Sequence, residues 1–162
     1  MQSTVETTAT AIFPRFGECT YASSDVIAFP WGIPGFAGLT SWLALMLDSQ
    51  PGFVWLQSLD DPAVALPAAN PWAIFEGYDP KLPTYAFVSL DVRDAAEFTL
   101  LCVVVAPPGG APMTMNLAAP IVVNLRTRNA RQVLCDGAAY SSSELIPSKD
   151  APADAALSAK AS

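Results

Sequence analysis

The sequence predicts an all-β protein: a small β-barrel-like or sandwich single domain with at most short helical turns. Three observations predict it. Fifteen prolines in 162 residues leave little room for long helices. Between the prolines lie short runs rich in β-branched and aromatic residues, spaced about 8 to 12 residues apart. Hydrophobic residues make up 52% of the chain and charged ones only 14%, so a core can form without disulfides or a metal.

In chain order, strands are expected at Val26–Phe29, Trp42–Leu47, Phe53–Leu59, Pro71–Phe75, Tyr85–Leu90, Phe98–Ala106, Ile121–Leu125 and Arg131–Cys135. The helical candidate is Val92–Phe98, a turn or two at best. Ile33-Pro34-Gly35-Phe36 is a type II turn: proline pre-sets the second position and glycine supplies the positive φ of the third. Asp60-Asp61-Pro62 ends a strand, because the residue before proline is restricted and aspartate caps turns with its own carboxylate. Pro107-Pro108-Gly109-Gly110 is a loop. Residues 1–10 are expected to be a flexible leader, 11–146 the folded domain, and 147–162 a disordered tail of small and polar residues.

Composition excludes much chemistry. The chain has no histidine, and so lacks the commonest general base and the commonest metal ligand. Cys19, Cys102 and Cys135 lie far apart and form no CxxC pair, which reads as free structural thiols in a reducing compartment. Ser141-Ser142-Ser143 has no GxSxG elbow, and no phosphate-binding glycine spacing occurs. Asp60 and Asp61 are adjacent, so on a strand they point to opposite faces and make a poor acid–base pair. No enzyme, cofactor or metal site is expected. The leading residues lack the charge and apolar run of a secretory signal, and the apolar runs are too short to span a membrane.

The net charge is −7. Eight acids fall between Asp48 and Glu97, against Lys81 and Arg93 alone. The plainer reading is a solvated surface; the functional one is a face that attracts a basic partner. Arg126, Arg128 and Arg131 crowd one turn and read as a solvated hairpin tip, or as a contact for RNA or an acidic peptide. Trp31, Trp42, Trp55 and Trp72 read mostly as core, and any outside it as anchors for a partner. Gln57 and Asn116 are expected to bond backbone at strand ends.

Taken in order, the motifs resemble the flagellar assembly factor FliW family. They are Arg15-Phe16-Gly17, the run Ile27–Phe36 (IAFPWGIPGF), Phe53–Pro62 (FVWLQSLDDP), Asn70-Pro71-Trp72, Tyr78, Met113–Asn124 (MTMNLAAPIVVN), Gln132-Val133-Leu134 and Tyr140-Ser141. Pro67 departs from the pattern and should shorten its strand or place it at an edge. Ser141–Glu144 lacks the basic residue usual after the tyrosine, and the tail is longer than usual.

The resemblance implies a cytoplasmic protein that binds flagellin and the translational regulator CsrA; since no symmetric hydrophobic stripe suggests an obligate dimer, a monomer is expected when free. It implies that CsrA is antagonised allosterically, away from its RNA-binding surface, so that flagellin level is coupled to flagellin translation. The alternative is a secretion chaperone for flagellin alone. Neither membrane nor direct nucleic-acid contact is expected. The residues expected to meet a partner are Trp72, Phe75, Glu76, Tyr78 and Asp79, which combine aromatic anchors with acids, and then Asp60 and Asp61.

Overall fold

The computed structural model describes residues 7–46, 51–135, 137 and 139–147. Its strands are β1 (Thr8–Phe13), β2 (Gly17–Ala22), β3 (Val26–Ala28), β4 (Ser41–Met46), β5 (Phe53–Ser58), β6 (Ala65–Ala69), β7 (Phe98–Val105), β8 (Thr114–Met115), β9 (Ile121–Asn124), β10 (Ala130–Gln132) and β11 (Glu144–Leu145). One short helix, α1, spans Thr84–Ser89. No helix among the described residues is long and apolar enough to cross a membrane.

The main sheet runs β10-β9-β7-β6-β5-β4-β3, every neighbouring pair antiparallel, with β8 and β11 attached beyond β7. It curls but does not close into a barrel. Its two ends touch through one parallel bridge, Ala28 to Asn129, where the Ala28 amide donates to the Arg128 carbonyl at 2.8 Å.

The central strands are buried on both faces. All six residues of β5 are buried. Alternate residues point to opposite sides. Val54, Leu56, Leu101, Ile121 and Val123 join the core inside the curl. Phe53, Trp55, Leu100, Cys102, Val104 and Val122 join a second core, covered by α1, Tyr78 and the β8–β11 side. This double burial explains why these strands read as nearly continuous apolar runs.

The expected runs at Val26–Phe29, Phe53–Leu59, Phe98–Ala106 and Ile121–Leu125 form strands within a residue at each end. Trp42–Leu47 forms β4, with residue 47 outside the described set. Two runs are corrected. Pro71–Phe75 opens as a 3-10 turn over Pro71–Ala73, capped by the Asn70 carboxamide. Tyr85–Leu90 is α1. Its aromatic and β-branched residues favour strand, but Pro83 fixes a helix entry and Ala86 and Leu90 bury one side. Arg131–Cys135 shortens to β10, and Val92–Phe98 keeps a 3-10 turn at Ala95–Glu97. The hairpin β1–β2 was not expected; it begins at Thr8, inside the segment read as leader. The tail beyond residue 147 lies outside the described residues.

Pro67 does not put β6 at an edge. The Ser58 amide donates to the Val64 carbonyl and the Asn70 amide to Gly52, so even-numbered residues of this stretch face β5. Pro67 therefore faces β7, where it has no N–H to give the Val104 carbonyl. The β6–β7 ladder is confined to Ala68 and Ala69, and past them an open cleft of about 760 Å³ separates the strands.

Two motifs explain themselves locally. Phe29 and Phe36 pack edge-on against the fully buried Trp42, with ring centres 6.2 and 6.3 Å away. The turn between them has Gly35 at φ 90°, and the Phe36 amide donates to Ile33. Gly32 has φ 69°, and a Cβ there would sit 2.6 Å from Ala37 backbone. In the second motif, Gln57 Nε2 donates to the carbonyls of Ser58, Pro62 and Val64, and Ser58 Oγ accepts from the amides of Asp60 and Asp61.

Gly32→Ala combines left-handed strain with this backbone overlap. It is expected to lower unfolding stability by at least about 2 kcal/mol, read as a reduced urea midpoint at unchanged slope.

Candidate functional site

The segment Asn70–Asp79 leaves the sheet where β6 ends. Asn70 Oδ1 accepts the Trp72 amide at 3.0 Å, and Pro71 occupies the first helical position. The Phe75 amide reaches back to Pro71 at 2.7 Å, and the Tyr78 amide to Phe75 at 3.0 Å. The indole Nε1 of Trp72 donates to the Tyr78 carbonyl at 2.9 Å, closing the loop on itself. Tyr78 Oη donates to the Leu117 carbonyl at 2.7 Å, and its ring meets Tyr140 edge-on at 4.7 Å. Tyr140 Oη in turn accepts the Asp79 amide at 2.8 Å. A rigid, surface-facing platform results.

Its residues have different fates. Trp72 keeps 37% of its surface exposed, and Glu76 and Asp79 are exposed. Neither carboxylate has a hydrogen-bond or ion-pair partner among the described residues. Phe75 is half-buried against the core. Tyr78, also expected to meet a partner, is only 5% exposed and supports the platform from below. A depression of about 350 Å³ lies between Trp72, Asp79, Leu82 and Phe87.

Asp60 and Asp61 belong elsewhere. They follow β5 at the opposite end of the β5–β6 hairpin, roughly 17–20 Å away by strand length. Asp60 Oδ2 accepts the amides of Thr40 and Ser41 at 2.7 and 2.9 Å, and Asp61 Oδ1 accepts Ala63 at 3.1 Å. Both carboxylates are turn caps, and the structure does not join them to the Trp72 platform.

The acidic run is partly compensated. Asp91 pairs with Arg126 at 2.9 Å and with Arg93 at 3.5 Å, and Glu97 pairs with Arg126 at 3.3 Å. The Arg126 hydrogen bond, helped by Arg93, holds the Asp91 carboxyl below its ordinary range. The three arginines read as one hairpin tip therefore separate. Arg126 binds acids, and Arg128 packs by Asp25 with its Nε buried. Arg131 lies between two rings, 4.3 Å from the centre of Trp31 and 4.8 Å from that of Tyr85. Sequence reasoning missed this last cluster because Tyr85 was placed on a strand.

Burial pushes the Cys102 thiol up to about 12 and raises Tyr78 as well, so both stay protonated near neutral pH. Among the described residues no three His, Cys, Asp or Glu side chains gather where a metal ion could sit. The arrangement presents charge and aromatic surface to solvent.

Residues 11–146 match the family model described as FliW protein. Flagellar assembly factor FliW of Pseudothermotoga lettingae is 35% identical over 133 residues, covering 82% of this chain and 85% of its own. That of Moorella thermoacetica is 34% identical, covering 78% and 81%. A crystal structure of the flagellar assembly factor FliW superimposes with a TM-score of 0.77, covering 88% of this chain and all of its own at 24% identity. That last likeness concerns the fold.

Tyr78→Phe removes the hydroxyl from Leu117 and is expected to cost about 1–2 kcal/mol in chemical unfolding. Asp91→Asn tests the ion pairs. Because the folded Asp91 carboxyl is depressed, its contribution is complete above the unfolded value of about 3.9 and fades as pH falls through the folded one. The variant's melting temperature should therefore fall less steeply than that of the parent when pH drops below about 4.

Proposed function

The chain belongs to the FliW family of flagellar assembly factors, and we propose that it binds flagellin in the cytoplasm and antagonises the translational regulator CsrA. It works by binding, without a catalytic step, and is a monomer when free. When flagellin accumulates it occupies this protein, and CsrA is released to repress flagellin translation. When flagellin is secreted, this protein is freed and antagonises CsrA allosterically, away from the RNA-binding surface.

The observation that carries the reading is the pair Glu76 and Asp79, exposed and uncompensated on the platform beside Trp72, in a chain of net charge −7. An RNA-binding regulator needs cationic surface for phosphate. Opposite charge steers the regulator towards this platform at long range while the contact itself forms away from its phosphate-binding face, and the indole supplies an anchor of the kind that carries interface energy. Phe75 and Tyr78 hold the platform from below. Asp60 and Asp61 add field at a distance and keep their turn in shape.

The double charge reversal Glu76→Lys, Asp79→Lys should weaken CsrA binding about tenfold, chiefly through a slower association rate. Surface plasmon resonance at two salt concentrations measures it, and the salt dependence should shrink in the variant. Unchanged kinetics would remove these acids from the contact. Binding of flagellin but not of CsrA by the wild-type chain would leave a flagellin chaperone and no regulator.

A further inference from the structure

The curled sheet keeps an open mouth at one end. The end of β4, the start of β7 and the turn between β9 and β10 gather there around a cavity of about 320 Å³. Its floor is the inner core: Ile27, Val54, Leu101 and Val123 line it and are at most 9% exposed. Met46 and Leu125, 67% and 45% exposed, give it an apolar rim. Ala44 and Gly52 also line it and supply too little side chain to fill it.

The polar groups at this mouth are donors. Arg128 lines the cavity, and its Nε is buried without a hydrogen-bond partner. One amino group of the same guanidinium reaches only the Asp25 carbonyl, at 3.5 Å. A buried charged donor without an acceptor is unfavourable, so this one is suited to a ligand that brings an acceptor. The backbone of Arg128 is fixed at the seam where the ends of the sheet touch: its amide donates to Asn124 and its carbonyl accepts the Ala28 amide, both at 2.8 Å. Asn70 also lines the cavity, and since its Oδ1 accepts the Trp72 amide, its NH2 group is left to donate. No aspartate or glutamate is among the described lining residues, in a chain with fifteen acids and eight bases.

We infer that this mouth binds a small amphiphile with a carboxylate head and a short apolar tail, of the class of the medium-chain fatty acids. The apolar floor takes the tail, while Arg128 and the Asn70 amide take the head. A carboxylate suits Arg128 because it accepts two parallel N–H bonds from one edge of a guanidinium group. Volume limits the tail. Ligand cavities span about 300–1,000 Å³, and this one lies at the small end of that range, which suits a medium acyl chain and not a long one. The mouths of curled and closed sheets are a frequent place for such sites. The inference stands apart from the function proposed above, since it requires neither flagellin nor CsrA.

Titration of the full chain with monomeric decanoate, followed by amide NMR shifts, tests this. Saturable shifts are expected at Gly52, Asn70, Thr99 and Arg128, with a dissociation constant of about 1 mM or tighter. Decylamine and decanol carry the same chain without the anion and should bind at least about tenfold more weakly. Arg128→Gln should weaken decanoate by a similar factor and narrow its advantage over decanol. Ala44→Leu, which fills the mouth from β4, should weaken all three compounds. The wild-type comparison of head groups does not depend on either variant folding. Shifts that do not saturate, or that centre on another surface, would overturn the inference. So would decylamine binding as tightly as decanoate, or wild-type decanoate affinity in a folded Arg128→Gln.

Discussion

Burial of the central sheet on both faces is the constraint on which the rest of the structure depends. β5, β7 and β9 send alternate side chains into two cores. The inner core is closed by the curl of the sheet itself. The outer one has to be covered by something else, and the chain covers it with α1, the Asn70–Asp79 platform and the β8–β11 pair. These covering segments are tied within themselves, to one another and to the sheet by side-chain hydrogen bonds: Trp72 to Tyr78, Tyr78 to Leu117, and Asn124 of β9 to Leu90. Their outer surfaces face solvent. A rigid scaffold beneath a few outward side chains is a common way to build a binding site.

Charge is distributed by the same logic. Asp60, Asp61 and Asp94 hold backbone amides at turns, and Asp91 and Glu97 hold arginines. Glu76 and Asp79 are left facing solvent beside Trp72, and Arg131 is left between its rings. The overall acidity mixes structural caps with the few groups free to act at a distance. Counting acids along the chain does not separate the two kinds, because a cap and a docking charge have the same composition and differ only in their partners.

Much of the fold was legible in the sequence where local chemistry and tertiary context agree. The runs VIAF, FVWLQSL and FTLLCVVVA are strands because β-branched and aromatic residues fill a doubly buried sheet. Ile33–Phe36 turned where proline and glycine said it would. TYAFVS was misread because its propensity is that of a strand, while Pro83 and the need to cover Leu100 and Val122 make it a helix. The β1–β2 hairpin escaped notice because its residues are mostly exposed and its only deep anchor is Phe13. The platform was legible as aromatics among acids, but the burial of Tyr78 was not, since it depends on Leu117 and Tyr140 from distant parts of the chain. The Trp31–Arg131–Tyr85 stack needs contacts across about 100 residues of sequence, which no local pattern encodes.

That the platform at the end of β6 is the surface that meets CsrA is most directly tested by hydrogen–deuterium exchange of the chain alone and with CsrA. CsrA should slow exchange of the amides from Trp72 to Asp79. Protection confined to other parts of the chain would contradict it.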